Sequence, residues 1–272
     1  MPPKLYAKRT RNLFDPNSSE TFRISRSKID LFCECQRCFY LDVRLGIARP
    51  SFPAFTLNNA VDELMKREFD IHRAKGSPHP LMKAYKIDAV PLNDSRMEEW
   101  RDALRRGIQY HHKIGIIFRG GIDDIWVNRK GELIVVDYKA TSKKEEVTID
   151  GYWQRGYKRQ VEIYQWLLRG IGEKVSSTAY FVYVNGKSDS ESFDGKLEFD
   201  IKIIPHEGDT SWIEPVVIKL AECLRGSDTP LPAEACEYCR YREAAGKELQ
   251  ALTKKPKDSE KAKSDGDGTL GI

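Results

Sequence analysis

Residues 132–139 read Glu-Leu-Ile-Val-Val-Asp-Tyr-Lys. Alternate side chains of a strand point to opposite faces, so this run is apolar on both faces until it ends in charge. A strand of that kind sits in the middle of a sheet covered on each side. Charge at the end of a buried strand needs a reason. In the same alternation Asp137 and Lys139 project together, with Val135 beneath them. The preceding stretch, 114–127, is β-rich, and Asn128-Arg-Lys-Gly131 reads as a turn. The resulting hairpin can bring Asp123 beside Asp137. Two close carboxylates repel, and they are costly to desolvate unless a cation sits between them. Mg²⁺ suits such a site, since it takes oxygen ligands and keeps several waters. Lys139 can then orient or help deprotonate a water at the metal, or stabilise charge developing on a phosphate. The same D-x-K pattern recurs at Asp194-Gly-Lys196 and Asp200-Ile-Lys202. The second of these reads as a solvent-facing pair on an amphipathic edge strand, and neither follows a buried apolar run.

The remaining elements place this hairpin in an α/β sandwich around a mixed sheet. Ser25 can cap a short helix through Phe32, and a second covers 36–45. A stronger helix starts at Thr56 or Asn58, carries Ala60, Val61, Leu64, Met65 and Phe69 on one face, and ends before Gly76. Met97–Arg106 is a further weak helix and Tyr157–Arg169 an amphipathic one. Thr178–Val184 and Leu197–Ile204 read as strands, and Ser211–Arg225 as the last helix. His72, His79, His111 and His112 show no ligand spacing and are expected on the surface or in loops.

The chain has 272 residues, 32% of them charged and 10% aromatic, with a mean hydropathy of −0.56. That excludes wholesale disorder, and no apolar run approaches the roughly 20 residues of a membrane span. Without an apolar signal-peptide core near the N-terminus, the expectation is a cytoplasmic protein with no membrane partner. Lys4, Lys8, Arg9 and Arg11 precede the first acid, Asp15, and read as a basic, solvated arm. The expected organisation is a loosely ordered arm over 1–22, one domain over 23–245 and a disordered tail over 246–272.

Six cysteines are few for a disulfide scaffold of this length. Cys35-Gln-Arg-Cys38 and Cys236-Glu-Tyr-Cys239 are both C-x-x-C, and each can chelate one metal centre. Four thiolates fit either a zinc ion or a four-iron cluster, and the spacing does not choose between them. Such a clip would close a loop of nearly the whole domain. Cys33 is a spare early ligand, and Cys223, in an apolar helix, is expected in the core.

Taken in order, Gly120-x-Ile122-Asp123, Val-Val-Asp137-Tyr-Lys139 and Gln160-Val-Glu-Ile-Tyr164 resemble the PD-(D/E)xK nuclease superfamily. The nearest branch is the RecB-type nuclease domain of recombination helicase–nucleases and CRISPR adaptation nucleases. The resemblance runs from about residue 25 to 242. It implies a restriction-endonuclease-like α/β/α core with N-terminal helices and a C-terminal cysteine clip. It also implies that Asp123, Asp137 and the main-chain carbonyl of Tyr138 bind Mg²⁺ or Mn²⁺, and that Lys139 is catalytic. Gln160 and Tyr164, i and i+4 on one helix face, would line the site or touch the DNA strand. The branch places a histidine ligand on a helix ahead of the hairpin; here Asp62 stands at that position, with Glu63 as the alternative. It often carries an iron–sulfur cluster, usually on one early and three late cysteines, whereas this chain has two and two. The expected activity is metal-dependent hydrolysis of DNA in repair, recombination or foreign-DNA processing. With no helicase motif in this sequence, unwinding would come from a helicase or other recombination or defence protein. The competing classes are a catalytically inactive DNA-binding or scaffold protein of the same fold and a zinc-stapled protein–protein module.

Overall fold

A computed structural model describes residues 8–51, 56–152 and 154–253. β1 (Phe22–Ser25) leads directly into α1 (Arg26–Glu34) and α2 (Gln36–Val43). The long α3 (Thr56–Lys75) and short α4 (Pro80–Ala84) follow, then β2 (Ala89–Pro91) and α5 (Met97–Arg101). A continuous β region holds β3 (Ile108–His112), β4 (Ile116–Gly120), β5 (Asp124–Asn128) and β6 (Leu133–Thr141). The chain then alternates through α6 (Arg155–Gly170), β7 (Thr178–Gly186), β8 (Phe199–Glu207), α7 (Ile213–Arg225) and α8 (Glu237–Thr253).

The strands form two mixed sheets, one ordered β1-β4-β3 and the other β2-β5-β6-β7-β8. β6 lies at the centre of the larger sheet, antiparallel to β5 and parallel to β7. Its two apolar faces now have separate partners. Ile134, Val136 and Tyr138 pack with Met65 and Phe69 of α3 and Met82 of α4. Leu133 and Val135 pack with Val161, Tyr164 and Leu168 of α6 and with α7. This is the expected α/β/α arrangement, and both faces of β6 are buried because helices cover both. No helix among the described residues is long and apolar enough to cross a membrane.

Several local expectations need correcting. In α3 the buried stripe is Met65, Phe69 and Arg73, while Ala60 and Leu64 are exposed. That stripe lies against the central strand β6 and the edge strand β2. Arg73 is tolerated inside because its guanidinium donates to Asp124 and to the Leu92 carbonyl. His79 and His112 are buried, not superficial: His79 stacks on Phe69 and bonds Glu68, and His112 bonds Glu214. The basic arm is pinned from Arg9 onward. Its N–H donates to Gly46 O (2.9 Å), and its guanidinium donates to Asp42 Oδ1 (2.9 Å) and to the Asp42 carbonyl (2.7 Å). Lys4 lies outside the described residues. At the other end α8 carries regular structure to Thr253, past the boundary placed at 245. The rest of that expected tail, 254–272, lies outside the described residues.

Candidate active site and cysteine cluster

The β5–β6 register pairs Asp124 with Val136, so one step back Asp123 faces Asp137 across the hairpin. Asp137 is fully buried, and its Oδ1 has no hydrogen-bond partner. The Lys139 ammonium forms an ion pair with its Oδ2. Burial pushes the Asp137 carboxyl up to about 7; Lys139 pulls it down and Asp123 adds to the rise. Burial would also discharge Lys139, but Asp137 and Asp123 outweigh it and hold the ammonium above its ordinary pKa. Lys139 is therefore a fixed positive charge at neutral pH, and its ammonium lies 4.8 Å from the centre of the Tyr157 ring.

Asp123 Oδ2 accepts the Tyr138 backbone N–H at 3.1 Å. The Tyr138 backbone thus borders the site while its ring lies on the other face, where its hydroxyl donates to Asp124 Oδ2 at 2.7 Å. Adjacent aspartates have separate duties. Asp123 faces the site, and buried Asp124 gathers Arg73, Arg101 and Tyr138 into a network that anchors α3 and α5 to the sheet.

α3 delivers one of the two candidate residues from the first motif. Asp62 joins Asp123 through Lys66, whose ammonium lies 2.7 Å from Asp62 and 3.3 Å from Asp123. Burial and the nearby Asp123 both raise the Asp62 carboxyl, and Lys66 opposes them. Glu63 is exposed and paired with Arg67 one turn on, so the helix directs it away from the hairpin. α6 supplies Gln160 and Tyr164, with Gln160 Nε2 at 3.5 Å from the Tyr164 hydroxyl. Burial raises the Tyr164 phenol, which senses Arg26, Asp123 and Asp137. Its ring explains Gly120: a Cβ there would come within 2.6 Å of Tyr164 Cε1. Asp200 and Lys202 lie on the edge strand β8, with Asp200 bonded to Lys187 and Lys202 to Glu146.

Sequence reasoning missed Lys66, Tyr157 and Arg26. Lys66 follows Asp62 by one helical turn, a signal present in the spacing. Arg26 reaches the site only because β1 pairs with β4, and nothing local announces that.

The donors fit a divalent cation. A buried carboxylate whose Oδ1 has no partner and whose Oδ2 meets the Lys139 ammonium, facing a second carboxylate and near a third, calls for positive charge that Lys139 and Lys66 only partly supply.

The second constellation is apolar in surroundings. Cys35, Cys38, Cys236 and Cys239 are all buried, with their Sγ atoms within 4.8 Å of one another. No disulfide joins them; Cys38 Sγ lies 3.5 Å from Cys236 Sγ and 3.6 Å from Cys239 Sγ. Four convergent sulfurs with no disulfide match the geometry of a thiolate metal centre. The Arg49 guanidinium reaches Cys236 Sγ at 3.7 Å and stacks over Tyr238, giving the thiols a nearby positive charge. Exposed Cys33 is outside the group, and Cys223 packs against the main core.

Comparison with known proteins agrees with this geometry. No curated protein matches the chain. A solved structure titled "Crystal structure of SSO0001" is similar at 16% identity and a TM-score of 0.31, covering 79% of this chain and 82% of that one. That likeness is too distant to bear on the site. A model of the PD-(D/E)XK nuclease superfamily matches residues 23–244, a span holding the carboxylates, the lysine and all four clustered cysteines. The chain belongs to the PD-(D/E)XK nuclease superfamily.

Proposed function

We propose that the protein is a metal-dependent deoxyribonuclease of RecB type. The observation that carries the proposal is Asp137, a buried carboxylate with an unpartnered Oδ1, set opposite Asp123 and ion-paired through Oδ2 with Lys139. Asp123, Asp137, Asp62 and the Tyr138 carbonyl would hold Mg²⁺ or Mn²⁺. Such a cation supplies Lewis acidity toward a phosphate and lowers the pKa of water. Lys139, kept protonated by its two carboxylate neighbours, stabilises negative charge as it builds on the phosphate oxygens. Gln160 and the neutral Tyr164 phenol offer hydrogen bonds that orient the strand. The facing carboxylates can both stay charged at close range only with a cation between them, so activity would depend on the ion. The clustered cysteines would hold a zinc ion or an iron–sulfur cluster that joins the two ends of the domain. The proposed setting is cytoplasmic DNA repair, recombination or defence, with a helicase or another protein of that process as partner.

Cleavage of labelled single- and double-stranded DNA with and without Mg²⁺ or Mn²⁺ tests this reading. Asp137→Ala and Asp123→Ala should abolish metal-dependent cleavage. Lys139→Ala should lower the rate by on the order of 10²-fold or more, as loss of one electrostatic catalyst does. Asp200→Ala and Lys202→Ala should stay within about threefold of wild type, as surface changes do. Wild-type rates in Asp137→Ala, or equal losses at the β8 pair, would end the assignment and favour an inactive DNA-binding protein.

A further inference from the structure

Outside the carboxylate site, a charged cleft of about 590 Å³ lies beside β1 and the end of β4. Arg9, Arg23, Lys28 and Arg119 line it, with Glu20 the acidic residue of its lining. Arg9 and Lys28 share one buried carboxylate, Asp42, so one of these two charges is uncompensated. Arg119 spends its guanidinium on neutral acceptors, the carbonyls of Leu104 (3.0 Å) and Arg105 (3.3 Å). Arg23 is exposed and has no hydrogen bond or ion pair among the described residues. Four cations against two carboxylates leave the cleft positive.

Strand geometry ties this cleft to the active site. β1 runs parallel to β4 with Ser25 beside Arg119 and Arg23 beside Ile117, so Arg23 and Arg119 share the sheet face opposite Ile24 and Phe118. Both strands run toward the carboxylates. Arg119 precedes Asp123 by four residues, which bounds the chain between them at about 14 Å. β1 continues into Arg26, which likewise has no hydrogen bond or ion pair among the described residues and whose charge reaches Asp137 and Tyr164. The positive groups thus form one track: Arg23 and Arg119 in the cleft, then Arg26 at the site. At about 3.4 Å of duplex rise per nucleotide, 14 Å corresponds to about four nucleotides.

We infer that the cleft between β1 and the end of β4 is a phosphate-binding subsite for the nucleic-acid strand that flanks the scissile bond, with Arg23 and Arg119 as its contacts and Arg26 as its link to the metal site. This deepens the nuclease reading and rests on it for the identity of the strand. Phosphodiester backbone fits because the cations are spaced along a track, and because guanidinium groups suit phosphate oxygens. The cleft offers charge without base-edge selectivity, so it positions the strand and leaves sequence unread.

The test uses the full-length protein and a fluorescein-labelled single-stranded oligonucleotide, with Ca²⁺ in place of Mg²⁺ so that cleavage does not intrude. Binding is followed by anisotropy across a salt series. Arg23→Gln, Arg23→Gln/Arg119→Gln and a control, Arg129→Gln on the β5–β6 turn, are compared with wild type. The slope of log affinity against log salt should flatten by about 0.7 for each lost contact on a single strand. The single variant should therefore lose one step and the double variant two, equally for oligonucleotides of different sequence. The Arg23 side chain makes no hydrogen bond or ion pair among the described residues, so the single variant keeps the test informative if the double unfolds. An unchanged slope in folded Arg23→Gln, or an equal change in the control, overturns the subsite. Cleavage in Mg²⁺, run in parallel, separates the two readings. Active protein with unchanged slopes discards only the cleft; inactive protein with flattened slopes discards only the nuclease.

Discussion

Asp137 carries an energetic cost that the metal-free protein cannot avoid. Its carboxyl titrates near 4 in an unfolded chain and at about 7 in the fold, because burial opposes the charged form. Between those values the native state binds the extra proton. Stability of the metal-free protein therefore falls as pH rises from about 4 to about 7 and stays low above that. Asp137→Asn removes the titration and keeps the shape. Relative to wild type, the variant should gain roughly 1–3 kcal/mol of stability between pH 4 and pH 8. Chemical denaturation at both pH values, without added divalent cation, measures this. An equal difference at the two pH values would show that burial is not what raises this carboxyl. Added Mg²⁺ should narrow the gap at pH 8, since it supplies wild type with the missing counter-charge.

At the scale of elements, the contact between β4 and α6 sets where Gln160 and Tyr164 stand. Gly120→Ala would drive a methyl group into the Tyr164 ring, which is held by the core and cannot swing aside. The substitution should cost about 1–3 kcal/mol, the usual range for overpacking. Combined with Tyr164→Leu it should cost less than the sum, with coupling above about 0.5 kcal/mol by a double-mutant cycle in denaturant. Strict additivity would mean that the ring and Gly120 do not meet. These elements also mark what was legible beforehand. β6, its hairpin and α6 were readable because their apolar periods are local and strong. The short strands β1, β2 and β3 were not, since three to five residues carry too little pattern and owe their state to neighbours in the sheet. The same division runs through the site. Asp137 and Lys139 could be found by alternation along one strand, and Asp123 by hairpin pairing. Arg26 depends on a parallel pairing across about 90 residues of chain, which no spacing rule encodes. Asp62 and Glu63 were left as alternatives because adjacent helix positions differ only in direction. In the fold Glu63 turns toward Arg67 and solvent, while Asp62 shares Lys66 with Asp123.

For the whole molecule, the cysteine group ties residues 204 positions apart in the chain. Cys236→Ser should remove one of four convergent sulfurs and release the bound metal. We expect a loss of about 2 kcal/mol or more, which is roughly 4–8 °C in Tm for a domain of this size. Differential scanning calorimetry reads the loss, and metal analysis of anaerobically purified protein reads iron with sulfide or zinc. Native protein without either metal, and a variant that melts normally, would refute the clip. The same four residues also impose a schedule on synthesis. Cys38 and Cys236 are separated by 198 positions. At about 5–20 residues per second, the first pair leaves the ribosome on the order of 10–40 s before the second is made. Throughout that interval two thiols stand adjacent without their partners. Closure is therefore the last event of assembly, and a chain truncated anywhere before Cys236 is left permanently open, its early pair exposed to whatever oxidant or stray metal the cell provides.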